Sequence, residues 1–339
     1  MGLTSIEWTD RTWSPLRAQV KADAGKIAAE KGYTSLIQVA TKMAGGIGPH
    51  CEHVSDGCKL CYSGTNNHRC LPSNGTGLPF DRRSRDLIDP VVDEKILLQP
   101  VRWQKPQRIF VENQSDLFGE WHSDEAIDRV FRIMALCPWH TFQVLTKRPD
   151  RMAKYLYRRE SSGAFAPGPL SNVWLGVSVE NQETADARIP LLLQTPAAKR
   201  FVSYEPALGP VDFMRIPRPD DAYFRERGEV GAIGPKSEPD DYVYWQKRLL
   251  HWVIIGGESG PGARPMNPEW VRSTRDQCVE AGVAFFFKQW GEWVSVSEVA
   301  GTGKHHTFPD GRTVRRVGKK KAGASIDGRE WREFPEVRS

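Results

Sequence analysis

Val173-Trp174-Leu175-Gly176-Val177-Ser178-Val179, followed at once by Glu180-Asn181, is the stretch whose reading decides the fold. Its short, nearly unbroken apolar character is that of a strand buried on both faces of a parallel sheet. The same design recurs on either side. Arg108-Ile109-Phe110-Val111 runs into Glu112-Asn113-Gln114-Ser115-Asp116, and Thr141-Phe142-Gln143-Val144-Leu145 into Thr146-Lys147-Arg148. Downstream, Arg200–Tyr204 ends in Glu205-Pro206, Trp252–Ile255 in Gly256-Gly257-Glu258-Ser259, and Val283–Phe287 in Lys288-Gln289-Trp290.

Helical segments lie between these runs. Ser123 is placed to cap a helix carrying Ile127, Val130, Phe131 and Met134 on one face, with Pro138 as its stop. Asn267 and Pro268 start another, with Val271 and Cys278 inward and Gly282 at its end. The repeat is roughly thirty residues long, the size of a βα unit with its return helix. Two weaker strands upstream, at Ile6-Glu7-Trp8 and Leu78-Pro79-Phe80, bring the expected number to eight. The reading is an α/β fold, a TIM-type (β/α)8 barrel, complete or partly open. An open doubly wound sheet is the alternative, but no Gly-rich fingerprint follows the first strand. The polar set at every strand's carboxyl end favours the barrel, because those ends converge on one mouth where active sites are built.

The barrel is expected to span residues 1–295. Insertions are read at 17–48, an Ala-, Lys- and Gly-rich helical excursion, and at 213–251, a Pro-, Asp- and Arg-rich surface excursion. Beyond Trp293 the pattern stops, so 296–339 reads as a C-terminal extension packed on or trailing the barrel. Its Lys319-Lys320-Lys321 run is ordinarily a solvated loop, and a phosphate-contacting patch is the minority reading.

Between the first strand and the regular repeats lies His50-Cys51-Glu52-His53-Val54-Ser55-Asp56-Gly57-Cys58-Lys59-Leu60-Cys61-Tyr62. The cysteines are spaced C-x6-C-x2-C, and a Cys-x2-Cys pair grips one metal centre from a tight turn. Cys51 folds back as a third ligand if Gly57 lets the loop bend sharply. Three thiolates without an obvious fourth donor suit a 4Fe–4S cluster with one open iron. A zinc site drawing on Cys70, His50, His53 or His68 is the competing reading. Disulfides are disfavoured: the chain opens Met1-Gly2-Leu3-Thr4-Ser5 with no apolar signal segment, which points to the reducing cytoplasm. Cys137 and Cys278 read as core thiols on helices.

Composition sets the outer bounds. At 339 residues, with 39% hydrophobic and 26% charged content, the chain has the makings of a globular protein with a substantial core. No apolar run approaches membrane-spanning length. A net charge of +5 tolerates nucleic acid as a partner without demonstrating it. Several of the twelve tryptophans fall at strand ends or loops, where a ring can stack on substrate, although most are expected to pack core or rim.

The chain resembles the phage-associated three-Cys-motif family, named after phage proteins gp thirty-seven and gp sixty-eight. The resemblance runs through Ile6–Asp10, the cysteine loop to Tyr62, Ser115-Asp116-Leu117-Phe118 and Leu145–Pro149. It continues in Gly176–Asn181, Phe201–Pro206, Gly256–Pro261 and Phe287–Gly291. That family is similar in turn to radical S-adenosylmethionine enzymes, which implies a radical-SAM-like barrel, a 4Fe–4S cluster on Cys51, Cys58 and Cys61, and S-adenosylmethionine on its open iron. Reductive cleavage then gives methionine and a 5′-deoxyadenosyl radical. The spacing here departs from the common C-x3-C-x2-C of those enzymes, and Leu60 stands where an aromatic is usual, with Tyr62 just after.

On that resemblance, Asn113, Ser115, Asp116, Lys147, Arg148, Glu180 and Asn181 are the cofactor-binding candidates. Carboxylates suit the ammonium and ribose hydroxyls, and Lys147 or Arg148 the carboxylate. Glu205, Glu258 and Lys288, with Gln289, are the catalytic candidates facing substrate. Each taken singly has an equally natural role as a salt bridge fixing the rim. The implied partners are an electron-donor protein, a three-Cys-motif partner protein and nucleic acid. The alternative function is a zinc- or cluster-stabilised, nucleic-acid-associated phage or mobile-element protein without radical chemistry. A third option, a barrel hydrolase using Glu205 and Glu258, would not need Cys58.

Overall fold

In the computed structural model, which describes residues 4–69, 75–161, 168–217, 242–243 and 250–336, the apolar runs build a single parallel sheet. Its strands are β1 (Arg11–Trp13), β2 (Arg108–Val111), β3 (Thr141–Thr146), β4 (Val173–Val179), β5 (Lys199–Tyr204), β6 (Trp252–Gly256) and β7 (Ala284–Gln289). Each pairs in parallel with the next in sequence. A sheet that always adds its next strand to the same edge curls, and here it makes a half-barrel surrounded by helices. Among the described residues β1 and β7 remain edges, so the sheet is open.

The long helices form where caps and periodicity place them. Ser123 accepts from the Ala126 amide at 3.2 Å to start α1 (Asp124–Leu136). Pro149 opens α2 (Pro149–Ser161), and Asn181 caps α3 (Gln182–Gln194). Asn267 caps α4 (Pro268–Ala281), which Gly282 ends at φ 67°. That left-handed angle costs a glycine least. These helices cover the outer face of the sheet, burying Val111, Val144, Val177, Val202, Val253 and Phe287 against Val130, Met134, Ile189 and Val271. Cys137 and Cys278 are fully buried there, as small apolar groups.

The inner face is different. Its amino-terminal half is filled by Phe110, Trp174, Phe201, Trp252, Ile254 and Phe286, with Trp8 laid across them. Trp8 and Phe110 have ring centroids 4.7 Å apart, and Trp8 and Trp252 6.2 Å. From the other end of the chain, Phe334 packs 5.2 Å from Trp252, whose indole donates to the Glu333 carbonyl at 2.9 Å. Arg332 bridges antiparallel to Phe286 on the β7 edge. Both termini therefore plug the amino end of the open half-barrel. Packing is close: a methyl added at Gly176 would lie 2.6 Å from the Phe201 ring.

Several expectations need correction. Ile6–Trp8 is a turn, with Thr9 N donating to Ile6 O, and β1 starts three residues later because Trp8 is drawn into the aromatic plug. Leu78–Phe80 is no strand: the Asn67 amide takes the Leu78 carbonyl and the His53 amide takes that of Phe80. The excursion after Arg17 is only partly helical. Leu16–Val20 pairs antiparallel with Ile47–Gly48 and Ile88–Val92, and helices Ala24–Glu30 and Ile37–Lys42 cover a small core of their own. Of the second insertion, most lies outside the described residues, and Ile216–Pro217 pairs with Tyr242–Val243.

The tail also has structure. Trp293–Ser295, Thr313–Arg316 and His305–Thr307 form an antiparallel sheet, and Ala322 and Ile326 join the main core. Among the described residues, no helix is long and apolar enough to cross a membrane.

If the aromatic plug braces the open sheet, Trp252→Ala lowers unfolding free energy by about 3–5 kcal/mol. Equilibrium denaturant titration measures this, and a loss below about 1 kcal/mol would mean that the inner face carries no structural load.

Candidate functional site

The carboxyl ends of the strands carry the polar residues. Asp116, just beyond β2, is a buried bracket. It accepts from Thr146 Oγ1 at 2.7 Å, Phe118 N at 3.0 Å, and Lys147 N and Arg148 Nη1 at 3.1 Å each. That bracket aims the two cations that follow β3. Lys147 Nζ lies 2.5 Å from Glu180 Oε1, 3.3 Å from Ser55 Oγ and 3.5 Å from Cys58 Sγ. The other Glu180 oxygen accepts from Arg188 at 3.1 Å, and Ser55 donates to Oε1 at 2.7 Å.

These contacts set the local charge. Burial alone would raise the Glu180 carboxyl, but Lys147 and Arg188 hold it below its ordinary value. Burial also opposes a thiolate at Cys58. Lys147, backbone hydrogen bonds from Val54 and Ser55, and the Ser55 hydroxyl outweigh it and bring Cys58 below the usual thiol range. Cys51 goes the other way, raised by burial and by Asp116, with Arg148 opposing. Cys61 and Cys58 each add to that rise.

The cysteine loop is tied to the mouth along its length. Ser115 donates to the His50 carbonyl at 2.6 Å and Arg148 to that of Glu52 at 3.3 Å. Tyr62 OH donates to the Asn113 carbonyl at 2.6 Å, while the Asn113 amide reaches the same hydroxyl at 3.2 Å. Arg264 bonds the Asp56 carbonyl at 3.0 Å. Gly57 matters for space. A Cβ there would lie 2.5 Å from Glu180 Oε1 and 2.9 Å from Lys147 Nζ. Its backbone is in an ordinary short helical turn, so close approach is what demands glycine.

The predicted catalytic trio divides. Glu205 and Lys288 meet at 3.1 Å across β5 and β7, and Ser203 donates to the second Glu205 oxygen at 3.1 Å. A Cβ at Gly256 would lie 2.7 Å from Glu205, so that strand end is also cleared for a side chain. Glu258 is instead bound by the Arg264 amide and guanidinium at 2.8 and 2.9 Å, bracing the arginine that holds the cysteine loop. Asn181 is the cap of α3, reciprocated by Thr184. Gln289 is buried and donates to Gly257 O at 3.4 Å. Tyr62 is anchored through its hydroxyl on Asn113, while its side chain stays 47% exposed.

Five participants were not assigned a role from sequence: Ser55, Tyr62, Arg188, Arg264 and Glu112. Ser55, Tyr62 and Glu112 lie inside the motifs that the sequence singles out, whereas Arg188 and Arg264 lie outside them. Glu112 has a left-handed φ of 54° and is fully buried, accepting from the Leu16 amide at 2.8 Å. Burial raises its carboxyl well above the ordinary range. Of the zinc reading's donors, the His50 ring is buried, 3.7 Å from Glu52 and edge-on to Trp121. Cys70 and the His68 side chain lie outside the described residues. Among the described residues, no three Cys, His, Asp or Glu side chains gather tightly enough to hold a single metal ion.

A family model described as "Protein of unknown function (DUF5131)" matches residues 37–335, and the chain belongs to that family. No curated protein and no solved structure matches the chain.

If Lys147 sustains the Cys58 thiolate, then Lys147→Met, combined with Glu180→Gln to spare a bare buried carboxylate, raises the Cys58 pKa. Thiolate at neutral pH falls about tenfold for each pKa unit gained. Alkylation rates at the Cys58 peptide across pH measure this, and an unmoved midpoint would refute the contact's role.

Proposed function

We propose that this DUF5131 protein is an iron–sulfur, radical S-adenosylmethionine-like enzyme of the phage-associated three-Cys-motif group, with the half-barrel as its radical-SAM-like scaffold. Cys51, Cys58 and Cys61 would hold a 4Fe–4S cluster. The observation that carries the reading is the seat of Cys58: a thiol loop at the carboxyl mouth of a sequential parallel sheet, its sulfur 3.5 Å from a locked ammonium.

The donor set fits the group. Thiolates must be deprotonated to ligate, and Lys147 with Ser55 favours that at Cys58. Three cysteines would supply three of a cluster's four protein ligands, and the fourth iron would be open to S-adenosylmethionine. When bound, the cluster supplies the electron that splits S-adenosylmethionine into methionine and a 5′-deoxyadenosyl radical.

The chain's own residues do the rest. Lys147 balances thiolate charge, and Glu180 with Arg188 fixes Lys147 in place. Asn113 and Ser115, spent partly on the loop, set the distance between loop and sheet. Glu205 and Lys288 form an ion pair at the inner rim, partly exposed, that can exchange partners with a zwitterionic ligand's ammonium and carboxylate. Asp116, Asn181 and Glu258 act by positioning. The reading calls for an electron-donor protein, and the resemblance adds a three-Cys-motif partner.

Anaerobic reconstitution with iron and sulfide should give a broad brown chromophore and release 5′-deoxyadenosine from S-adenosylmethionine. Cys58→Ala should remove both, and Glu180→Gln should cost about 10–100-fold in cluster retention or turnover. Stoichiometric zinc with no 5′-deoxyadenosine would overturn the proposal.

A further inference from the structure

One charged surface is not used by the mouth. Between Gly301 and Lys321 the sequence holds seven lysines and arginines against one acid, Asp310, enough to account for the whole chain's net charge of +5. The antiparallel tail sheet and the short helix Lys319–Ala322 that follows it carry them, all but Arg315 at the surface, since Arg315 is buried against the Gly301 and Val299 carbonyls. Lys304 sits beside Arg316, whose amide donates to the Lys304 carbonyl at 2.9 Å. Lys321 Nζ lies near Gly301, where an added Cβ would be 2.8 Å away. His305, His306 and Thr307 form an exposed edge strand.

The pairing of these charges is uneven. Arg312 meets Glu269 at 2.6 Å, Arg316 meets Glu292 at 3.7 Å, and Lys319 meets Glu7 at 3.8 Å. Lys304, Lys320 and Lys321 have no acidic partner among the described residues, and all three are exposed. Rings accompany them: His306 stacks edge-on to Phe308 at 4.7 Å.

This surface adjoins the mouth. Arg316 also donates to the Gly260 carbonyl at 3.2 Å, in the loop that leaves β6. Two residues on, a Cβ at Gly262 would touch Leu60 of the cysteine loop at 3.9 Å. Leu60 and Tyr62 are 40% and 47% exposed, so the cysteine loop presents an apolar and an aromatic side chain at this rim, Leu60 beside the loop that Arg316 holds.

We infer that the tail sheet is a phosphodiester-binding surface that feeds a single-stranded polynucleotide across the Leu60–Tyr62 rim into the mouth. Unpaired lysines favour phosphate over any neutral ligand, and an exposed aromatic at the rim provides a platform for a base. A single strand is favoured over a duplex because Glu205 and Lys288 are recessed, and a stacked base cannot reach them without leaving the helix. The binding surface stands on its own observations. That the strand is the substrate rests on the radical-enzyme reading above.

The test is fluorescence anisotropy with a labelled mixed-sequence single-stranded DNA of roughly 20 nucleotides, on the full chain. Saturable binding is expected, with affinity falling steeply as salt rises. Lys304→Glu, Lys320→Glu and Lys321→Glu together should weaken it at least about tenfold and flatten the salt slope by about 0.7 per lost contact. Circular dichroism should not change, since these side chains are exposed and unpaired. Reversal of Lys26 and Lys42, on the helical excursion, should leave affinity within about twofold.

No saturable binding, an equal loss in the Lys26/Lys42 variant, tighter binding of duplex, or equal binding of polyglutamate would each overturn the inference. Repeating the titration with Cys58→Ala separates the two proposals. Binding that persists while 5′-deoxyadenosine release fails in the native protein keeps the surface and removes the radical chemistry.

Discussion

A lysine ammonium held between a carboxylate and a sulfur, 18% and 1% exposed on its ion-paired side chains, is the contact on which the mouth depends. Burial works against the Glu180 carboxylate, and Lys147 with Arg188 outweighs it. Removing one member of such a pair typically costs about 3–5 kcal/mol, because the survivor is left buried and uncompensated. The cysteine loop enters this arrangement as a fourth party. Ser55 and Cys58 complete the shell of Lys147, so loop and sheet order each other, and the bare Gly57 is what lets them approach.

That mutual dependence works because the sheet divides its labour along the strands. A half-barrel has an open seam, and an inner face left to water would expose a slab of indole and phenyl rings. Trp8 and Phe334, from opposite ends of the chain, cover the amino half of that face. The carboxyl half is thereby left free for Lys147, Glu180, Glu205 and Lys288. Rigidity at one end permits polarity at the other, since charged groups are held in register only where the backbone beneath them cannot shift.

Much of this was legible in the sequence, for physical reasons. Strands buried on both faces leave a continuous apolar signature, so β2 to β7 appear within a residue or two of their observed limits. Caps leave chemical signatures as well, at Ser123 and Asn267. The misreadings share another cause. Trp8 and Leu78 are apolar because they fill cores from turns and coil, and apolarity alone does not tell a strand from a plug. The tail strands bury few residues each, so Thr313–Arg316 carries hardly any pattern. Partners far apart in sequence leave none: nothing local says that Ser55 will reach Glu180, or that Arg264 will take the Asp56 carbonyl.

The contrast between paired and unpaired cations ties the mouth to the surface beside it. Inside the mouth each lysine and arginine has a carboxylate within reach, as it must where water is scarce. Beside the tail sheet, at its edge and on the short helix after it, Lys304, Lys320 and Lys321 stand in water, where an unmatched charge costs little and remains available to a polyanion. Arg316 belongs to both regions, reaching Glu292 on one side and the β6 loop on the other. The field of the tail therefore falls off along a path that ends at the cysteine loop. On the inference drawn above, a strand held by the unpaired lysines would meet a paired cation, Arg316, before it reached the Leu60–Tyr62 rim, so the phosphates would be held outside while a base entered the mouth.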